Sequence, residues 1–519
     1  MTRQDDSGIA KARDKITSLD DAAALCVAVR QKGQRVVHCH GVFDLLHMGH
    51  VRHFEEARQH GDFLVVTLTE DAHVNKGPGR PIFPELLRAE MVAAIGYVDA
   101  VAINRHPSAE TAIRAIRPHV YVKGSDYEDA GSDITGKIES ERGEVEACGG
   151  EIAFTKGITF SSSSLINRYF DVYDPELRCY LETAREKDIL HQINGLMERV
   201  QGFRVLLVGD AIIDEYRYVQ PLGKSPKENM IATIYKDSEV FAGGVIAAAN
   251  HVASFCSQVD VITMIGGASS QDEEVIRKSL LPNVRLHLVT RPNVPTTRKT
   301  RFVDLGYMRK LFEVYEMDDS YMGRPLEEEL LALIADLAPR CDLTVVTDFG
   351  HGLLTAECRQ AITKHARFFA LNAQSNSANL GFNLVTKYPK ADYVCIDTPE
   401  LRLSMGDKYS DIGLLVSEHF HKVVACTCAI ITQGVHGCMT WQPEHGCHQV
   451  PAFTKTVVDT VGAGDAFFAV TAPLVAAGGD MSVVGFVGNA VGAIKVGIVG
   501  HRRSVEKEKV LKFVTALLK

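Results

Sequence analysis

At 519 residues the chain has room for two to four domains of ~150 residues each. Hydrophobic residues make up 46% and charged residues 23%, which excludes a chain dominated by disorder and leaves apolar material for more than one core. Lys and Arg number 56 against 65 Asp and Glu, a formal charge of −9 that lacks the basic surplus of a dedicated nucleic-acid binder. No run approaches the ~18 apolar residues of a membrane span. The best, 466–477, is short and contains Pro473. Residues 1–15 are polar, without the apolar centre of a signal peptide. Twelve cysteines are scattered with no disulfide framework, the pattern of reduced thiols. The expectation is a cytoplasmic protein with small-molecule partners, bound to neither nucleic acid nor membrane.

Residues 1–33 read as a polar extension. From 34 to 170 short β-rich runs alternate with helical patterns: strands over 35–40, 63–68, 100–103 and 120–122, and helices over 49–60, 84–96 and 109–116. Such alternation implies βαβ units around a parallel sheet. Residues 171–201 are charged and helix-friendly, and read as a helical linker. A second α/β series fills 202–519, with strands over 204–208, 259–262, 343–346, 393–396 and 429–431. The two series are not copies of each other, so the chain reads as two different α/β domains.

In the first series, His40-Gly41-Val42-Phe43-Asp44-Leu45-Leu46-His47-Met48-Gly49-His50 joins a strand to a helix. A helix start after a parallel strand is an anion site, because unpaired N–H groups and the dipole face the ligand. Gly49 permits close approach of a phosphate. His47 and His50, three residues apart, can donate to an α-phosphate as charge builds in an in-line displacement.

This stretch resembles the cytidylyltransferase-like nucleotidyltransferases, relatives of the class I tRNA synthetases with their HIGH motif. The resemblance covers about 34–168 and implies a Rossmann-like fold with nucleotide contacts from Gly41, Phe43 and Asp44. Lys76, the Gly77-Pro78-Gly79-Arg80-Pro81 loop and Arg88 match a basic loop and helix that contact phosphates in the family. Val122-Lys123-Gly124-Ser125-Asp126-Tyr127 is similar to the V-K-G-x-D-Y stretch of sugar-phosphate adenylyltransferases. Phe160-Ser161-Ser162-Ser163-Ser164-Leu165-Ile166 is similar to the S-T-T-x-I-I motif, whose hydroxyls bind triphosphate; here all are serine.

Near the C-terminus, Asp459-Thr460-Val461-Gly462-Ala463-Gly464-Asp465-Ala466-Phe467 sets a small-residue turn and an acid before an apolar helix. N–H groups of Gly462, Ala463 and Gly464 can hold the charge of a transferring phosphate, and Asp465 can take a proton from an attacking hydroxyl. The motif resembles the ribokinase-like (PfkB) carbohydrate kinases over 203–519, which implies an α/β sandwich. Within that resemblance Asp210 and Asp214 are sugar-binding acids, and Gly243-Gly244 is the di-glycine near the sugar. Thr432, Gly434 and Gly437 form the nucleotide-side turn, and Asn489 lies where a late helix lines the adenine pocket. Asp348-Phe349-Gly350-His351-Gly352 resembles the D-Y-G-K-G turn of heptose kinases. Two positions depart from the family. The asparagine of G-G-A-A-N is replaced by Ala247, with Asn250 three residues on. The N-x-x-E motif, whose Glu helps organise Mg²⁺, reads Asp397-Thr398-Pro399-Glu400.

Cys426, Cys428, His436, Cys438, His445, Cys447 and His448 crowd together, but a C-x-C spacing lacks the two to four intervening residues of a zinc knuckle, and no metal site is expected there. Together the two halves resemble the bifunctional heptose-7-phosphate kinase/heptose-1-phosphate adenylyltransferases, with the domain order reversed. The resemblance implies Mg²⁺, ATP as substrate (with CTP possible in the first half) and a homodimer. A glycerol- or alditol-phosphate cytidylyltransferase fused to another sugar kinase, or to a non-catalytic kinase-like domain, is the alternative.

Overall fold

A computed structural model describes residues 12–74, 80–124, 137–155 and 173–519. The chain forms two compact units, one of residues up to Arg178 with Leu511–Lys519, the other of Cys179–Val510.

The first unit is a six-stranded parallel sheet of β1 (Ile16–Thr17), β2 (Val36–Gly41), β3 (Phe63–Thr69), β4 (Ala100–Asn104), β5 (Val120–Gly124) and β6 (Glu151–Thr155). The spatial order is β1-β4-β3-β2-β5-β6. Alternate residues of its strands feed two cores, as the two-residue period demands. Val37, Cys39, Leu64 and Val66 pack with Phe54 and Ala57 of α2 (Met48–Arg58) and Ala89 and Val92 of α3 (Glu85–Ala93). On the opposite face Val36, Val65, Ala100 and Ala102 meet Ala22 and Cys26 of α1 (Leu19–Gln31). The helices α4 (Glu110–Ile116) and α5 (Lys137–Ala147) complete the layers.

This arrangement corrects the expected polar extension. Ser18 caps α1 by accepting from the Asp21 N–H, β1 pairs in parallel with β4, and the helix buries Ala22, Cys26 and Val29. The apolar spacing on α1 makes it part of the core. The expected linker is corrected as well. It is helical, as α6 (Pro175–Glu186) and α7 (Ile189–Gln201), but the division between units falls inside α6. Ile193, Leu196, Met197 and Val200 bury one face of α7 within the second unit.

The second unit holds a nine-stranded sheet in the order β11-β10-β7-β14-β15-β16-β17-β18-β19. Its strands are β7 (Arg204–Gly209), β10 (Gln258–Gly266), β11 (Val284–Arg291), β14 (Leu343–Asp348), β15 (Phe369–Ala373), β16 (Tyr393–Asp397), β17 (Cys428–Thr432), β18 (Cys438–Gln442) and β19 (Gly446–Val450). The pairs are parallel up to β17, and the last two strands close it as antiparallel neighbours. A four-stranded sheet, β13-β12-β8-β9, is built from β8 (Ala211–Lys224), β9 (Ile231–Gly244), β12 (Arg298–Asp304) and β13 (Arg309–Glu316). The helices are α8 (Val245–Ala253), α9 (Ser270–Ser279), α10 (Arg324–Leu337), α11 (Ala356–His365), α12 (Thr398–Met405), α13 (Ala463–Ala476) and α14 (Met481–Lys495), with α15 (Lys507–Leu518) following. Both α13 and α14 are apolar nearly all round, as helices enclosed by other elements must be. No helix among the described residues is long and apolar enough to cross a membrane.

Candidate active sites

In the first unit the strand order reverses at β2, with β3 and β4 on one side and β5 and β6 on the other. Ligands of open parallel sheets bind outside the strand carboxyl ends at such a point. The loop after β2 therefore leads straight to a binding crevice. A Cβ on Gly41 would come within 3.0 Å of the Phe43 ring. Phe43 takes a left-handed conformation, φ 50°, and its ring meets His50 edge-on with centroids 5.4 Å apart. This tight turn delivers His47 to the N-cap of α2. There, His47 Nδ1 accepts from the Gly49 N–H at 3.1 Å, and the His47 N–H donates to His50 Nδ1 at 3.4 Å. With Nδ1 accepting in both rings, each neutral imidazole carries its proton on Nε2. The rings stack with centroids 4.0 Å apart, so two N–H donors stand side by side at the positive end of a helix. Burial lowers the His47 pKa, which favours the neutral donor form.

The basic residues divide. Lys123, at the end of β5, is ion-paired to Glu141 of α5 at 2.7 Å. Arg80 is enclosed 3.8 Å from Asp44, whose other oxygen accepts from the Ile82 and Phe83 N–H groups at 2.7 and 3.2 Å. Asp44 thus shapes the loop that follows. Arg88 departs from its expected role as a phosphate contact. Fully buried, it donates to the carbonyls of Phe83, Val42 and Thr69 and to Asp71, so it clamps the β2, β3 and α3 segments together. Arg88→Leu is expected to destabilise the first unit by about 1–3 kcal/mol, because it leaves the Phe83, Val42 and Thr69 carbonyls without their donor. Chemical denaturation followed by circular dichroism measures this, and an unchanged first transition would contradict the clamp. Lys76 and Ser161, Ser162 and Ser163 lie outside the described residues.

In the second unit the candidate residues gather at the carboxyl ends of the parallel strands. Asp465 lies in the first turn of α13, after Gly462 at φ 70°. It is 8% exposed, and Gln374, just beyond β15, donates to its Oδ1 at 2.5 Å. Burial pushes its carboxyl above the ordinary aspartate range. The Ala463 N–H is spent on the Thr460 carbonyl at 3.2 Å, which corrects its place in the expected anion hole. The helix start at Gly464 and Asp465 is left to receive an anion. Asp459, the first residue of the motif, is a hub. It accepts from Tyr216 Oη (2.8 Å), Lys310 Nζ (2.6 Å) and the N–H groups of Val461 (3.1 Å) and Gly500 (2.8 Å). Against the effect of burial, these partners bring its pKa down to about 2.

Of the two expected sugar acids, Asp210 is committed elsewhere. Its carboxylate accepts from the N–H groups of Phe349, His351 and Leu353, and so holds the turn after β14. Burial and the neighbouring Asp348 push it up to about 6. Asp214 is engaged as well, by charged side chains. Burial would raise its pKa, but His501, 3.2 Å from Oδ2, and Arg301 on Oδ1 hold it well below the usual range. A Cβ on Gly243 would meet Asp214 Oδ2 at 2.1 Å, and one on Gly244 would meet the Asp210 carbonyl at 2.3 Å. Gly243→Ala is accordingly expected to displace Asp214 and to lower, by about 10²-fold, kcat/KM for the carbohydrate-kinase reaction that the motif resemblance implies. Unchanged sugar kinetics in that variant would remove Asp214 from the site.

Thr432 ends β17, and Gly434 and Gly437, at φ 57° and 89°, turn the chain into β18. Asn489 departs from its expected place at the adenine. Its amide donates to the carbonyls of Val450 and Pro451, at 3.0 and 2.9 Å, and anchors the end of β19 to α14. Asn250, the asparagine displaced from the di-glycine motif, is likewise occupied, by the Ser279 carbonyl and the Leu281 N–H. Glu400 and Asp397 cap α12 reciprocally. Glu400 accepts from the Ser375 and Asp397 N–H groups, and Asp397 Oδ1 from the Glu400 N–H. Both Glu400 carboxylate oxygens, expected to organise Mg²⁺ only indirectly, are thereby held by backbone N–H groups. Asp397 Oδ2, which takes no hydrogen bond among the described residues, is the oxygen left for a hard cation.

Sequence reading missed Gln374, His501, Lys299 and Lys495. Lys299, 6% exposed on β12, lies in the electrostatic field of Asp214 and Asp465. Lys495, fully buried, donates to the Val461 and Gly500 carbonyls at 2.7 and 2.8 Å and braces the motif loop from below. A lysine inside an apolar helix was the available signal for Lys495; the others come from segments without a motif.

An acid at a helix start, set against a small sheet that carries a second acid, places the second unit among the ribokinase-like α/β folds, with a cytidylyltransferase-like unit before it. Residues 203–508, more than half of the chain, match the model described as pfkB family carbohydrate kinase, and the chain belongs to that family. Residues 38–169 match the cytidylyltransferase-like model. Among curated relatives, the chain is 40% identical over 157 residues to "Bifunctional protein HldE" of Methylobacillus flagellatus, covering 30% of this chain and 31% of that protein. It is 27% identical over 318 residues to the protein of the same name from Bradyrhizobium diazoefficiens, covering 59% and 62%. The chain thus spans about a third of the length of the first of these relatives. It is also similar in structure to phosphofructokinase-2 from Escherichia coli, at 13% identity and a TM-score of 0.49, over 61% of this chain and 100% of that one.

Proposed function

We propose that the chain makes a nucleotide-activated sugar in two steps. The second unit phosphorylates a sugar phosphate at its anomeric hydroxyl, and the first transfers a nucleotidyl group to the sugar 1-phosphate. The observation that carries this reading is the presence in one chain of two arrangements at helix starts: paired imidazole donors in the first unit and a buried carboxylate in the second. The relatives named as bifunctional support it. In the kinase step Asp465 takes the hydroxyl proton as the sugar oxygen attacks the γ-phosphorus and the bond to ADP breaks. The α13 start and Lys299 receive the developing charge. In the transfer step an oxygen of the sugar 1-phosphate attacks the α-phosphorus and pyrophosphate leaves, with the Nε2–H groups of His47 and His50 donating to the phosphate oxygens. Both steps would draw on Mg²⁺–nucleotide, the ion supplying charge neutralisation at the phosphates, and in the kinase unit Asp397 Oδ2 would be an oxygen able to hold it.

The motif resemblance makes D-glycero-D-manno-heptose 7-phosphate and ATP the first substrates to test, giving ADP-heptose. ³¹P NMR of the protein with Mg²⁺, ATP and that sugar is expected to show a 1,7-bisphosphate, and heptose 1-phosphate in its place should yield ADP-heptose and pyrophosphate. No consumption in either reaction, beside a competent control enzyme, would overturn the heptose assignment. Faster turnover with CTP would favour the cytidylyltransferase alternative. We further infer a homodimer joined through the small sheet, which exposes Phe312, Val314, Ile234 and Tyr235. Light scattering that gives a monomer mass would dismiss it. A cytoplasmic location is part of the same reading.

A further inference from the structure

Lys495, the last residue of α14, is wholly enclosed. Its ammonium donates to the carbonyls of Val461 and Gly500 at 2.7 and 2.8 Å, in the range of charge-assisted bonds. It makes no ion pair among the described residues, so peptide carbonyls and not a carboxylate face its charge. Enclosing a charge without a counter-ion opposes folding, and bracing two carbonyls does not require one. The charge therefore calls for a use beyond the brace.

Its two partners stand where the loops of the site begin. Val461 precedes Gly462, whose left-handed turn opens the start of α13, and Gly500 precedes His501, which holds Asp214. The N–H groups of the same two residues donate to Asp459. One carboxylate and one ammonium thus grip the Val461 and Gly500 backbone, the first by N–H and the second by C=O. In a trans peptide these two groups point in opposite directions. The peptide joining Val461 to Gly462 therefore turns its oxygen to the ammonium and its N–H away from it. That Gly462 N–H has no hydrogen-bond partner among the described residues. Burial lowers the Lys495 pKa and Lys310 adds to this, while Asp459, Asp465 and Asp214 act in the opposite direction. The influence is mutual, since Lys495 is among the groups that hold the Asp465 carboxyl down against its burial.

We propose that Lys495 is a positioning residue of the kinase site: a built-in cation beneath the motif loop whose charge, acting through the Val461–Gly462 peptide, strengthens the hold of the α13 start on a transferring phosphate. The inference rests on the kinase reading given above. A charge fixed inside the protein needs no reorganisation as the phosphate charge shifts during transfer. It differs in this from Lys299, which lies on β12 in the small sheet.

The test compares the wild-type chain with Lys495→Met, which keeps the length and removes the charge, and Lys495→Ala, which leaves room for a small cation. Kinase kcat is expected to fall about 10²-fold in both, with the KM for the sugar phosphate within about threefold of wild type. Ammonium or methylammonium chloride is expected to raise Lys495→Ala turnover about tenfold over choline chloride at equal ionic strength, and to leave wild type and Lys495→Met unchanged. Circular dichroism confirms that the variants fold. A folded Lys495→Met with wild-type kcat would make the lysine a brace only and overturn the proposal, as would a folded Lys495→Ala that neither amine restores. If Lys495→Ala does not fold, Lys495→Met decides alone. A second readout needs no sugar: calorimetric titration with Mg²⁺ and either ADP or a non-hydrolysable ATP analogue. The preference for the triphosphate is expected to fall about tenfold in Lys495→Met, and an unchanged preference would overturn the proposal. Absence of wild-type turnover with every sugar phosphate would sink the kinase reading, and the titration would still decide the role of Lys495.

Discussion

Asp465→Asn is expected to lower kinase kcat by about 10²–10⁴-fold while nucleotidyl transfer continues, because the amide cannot take the hydroxyl proton. The substitution keeps the shape, and Gln374 can turn its amide to offer an oxygen, so the loss is one of chemistry and not of folding. Sugar binding, measured apart from turnover, should stay within a few-fold of wild type. The pH profile gives a second readout. The base works as a carboxylate, so activity falls as pH drops through its pKa. Burial raises that value above the usual 3.8, so the acid limb of kcat is expected above the range of an ordinary aspartate. An acid limb that survives in Asp465→Asn would assign it to another group, and unimpaired turnover would remove Asp465 as the base.

For the first unit the large effect belongs to the histidine pair. His50→Ala is expected to lower pyrophosphate release by about 10²–10³-fold, the usual cost of one preorganised donor to transition-state charge. It also opens the reciprocal cap, since the His47 N–H loses its acceptor. His50→Gln separates the two effects, because it can keep an acceptor for that N–H and also offers an N–H of its own. Partial recovery in His50→Gln, with ATP binding intact in both variants, is the expected pattern. Equal loss in both would point to the imidazole ring itself, through its stacking on His47. Kinase turnover should be untouched in either, and loss of both activities in any one of these variants would refute two independent sites.

The parallel sheets were legible because their strands are buried on both faces and read as continuous apolar runs such as Leu64-Val65-Val66 and Val205-Leu206-Leu207-Val208. The four-stranded sheet was not. Its strands carry runs such as Tyr235-Lys236-Asp237-Ser238-Glu239, exposed or half-exposed throughout, which leave no apolar period to read. Motif glycines show a backbone reason for their identity: a Cβ on Gly41, Gly243 or Gly462 would come within 3.0 Å of a neighbouring side chain. Side-chain roles were harder to read. Arg88, Asp210, Asn489 and Glu400 are all spent on backbone groups of segments distant or adjacent in sequence, and only the folded neighbourhood tells a structural donor or acceptor from a ligand contact. His501 and Gln374 lay beyond reach for the converse reason: each gains its meaning from one partner, Asp214 or Asp465, in another part of the second unit.

The bonds to Asp459 have a bearing on fuel economy in the cell. Tyr216 and Lys310 belong to the small sheet, while Val461 and Gly500 belong to the loops beneath the α13 start, and one carboxylate joins them all. On the kinase reading, the surface that covers the sugar and the loop that grips the γ-phosphate are ordered together. Lys310→Met removes one of these bonds and, on that reading, is expected to raise ATP hydrolysis without sugar relative to phosphate transfer to it.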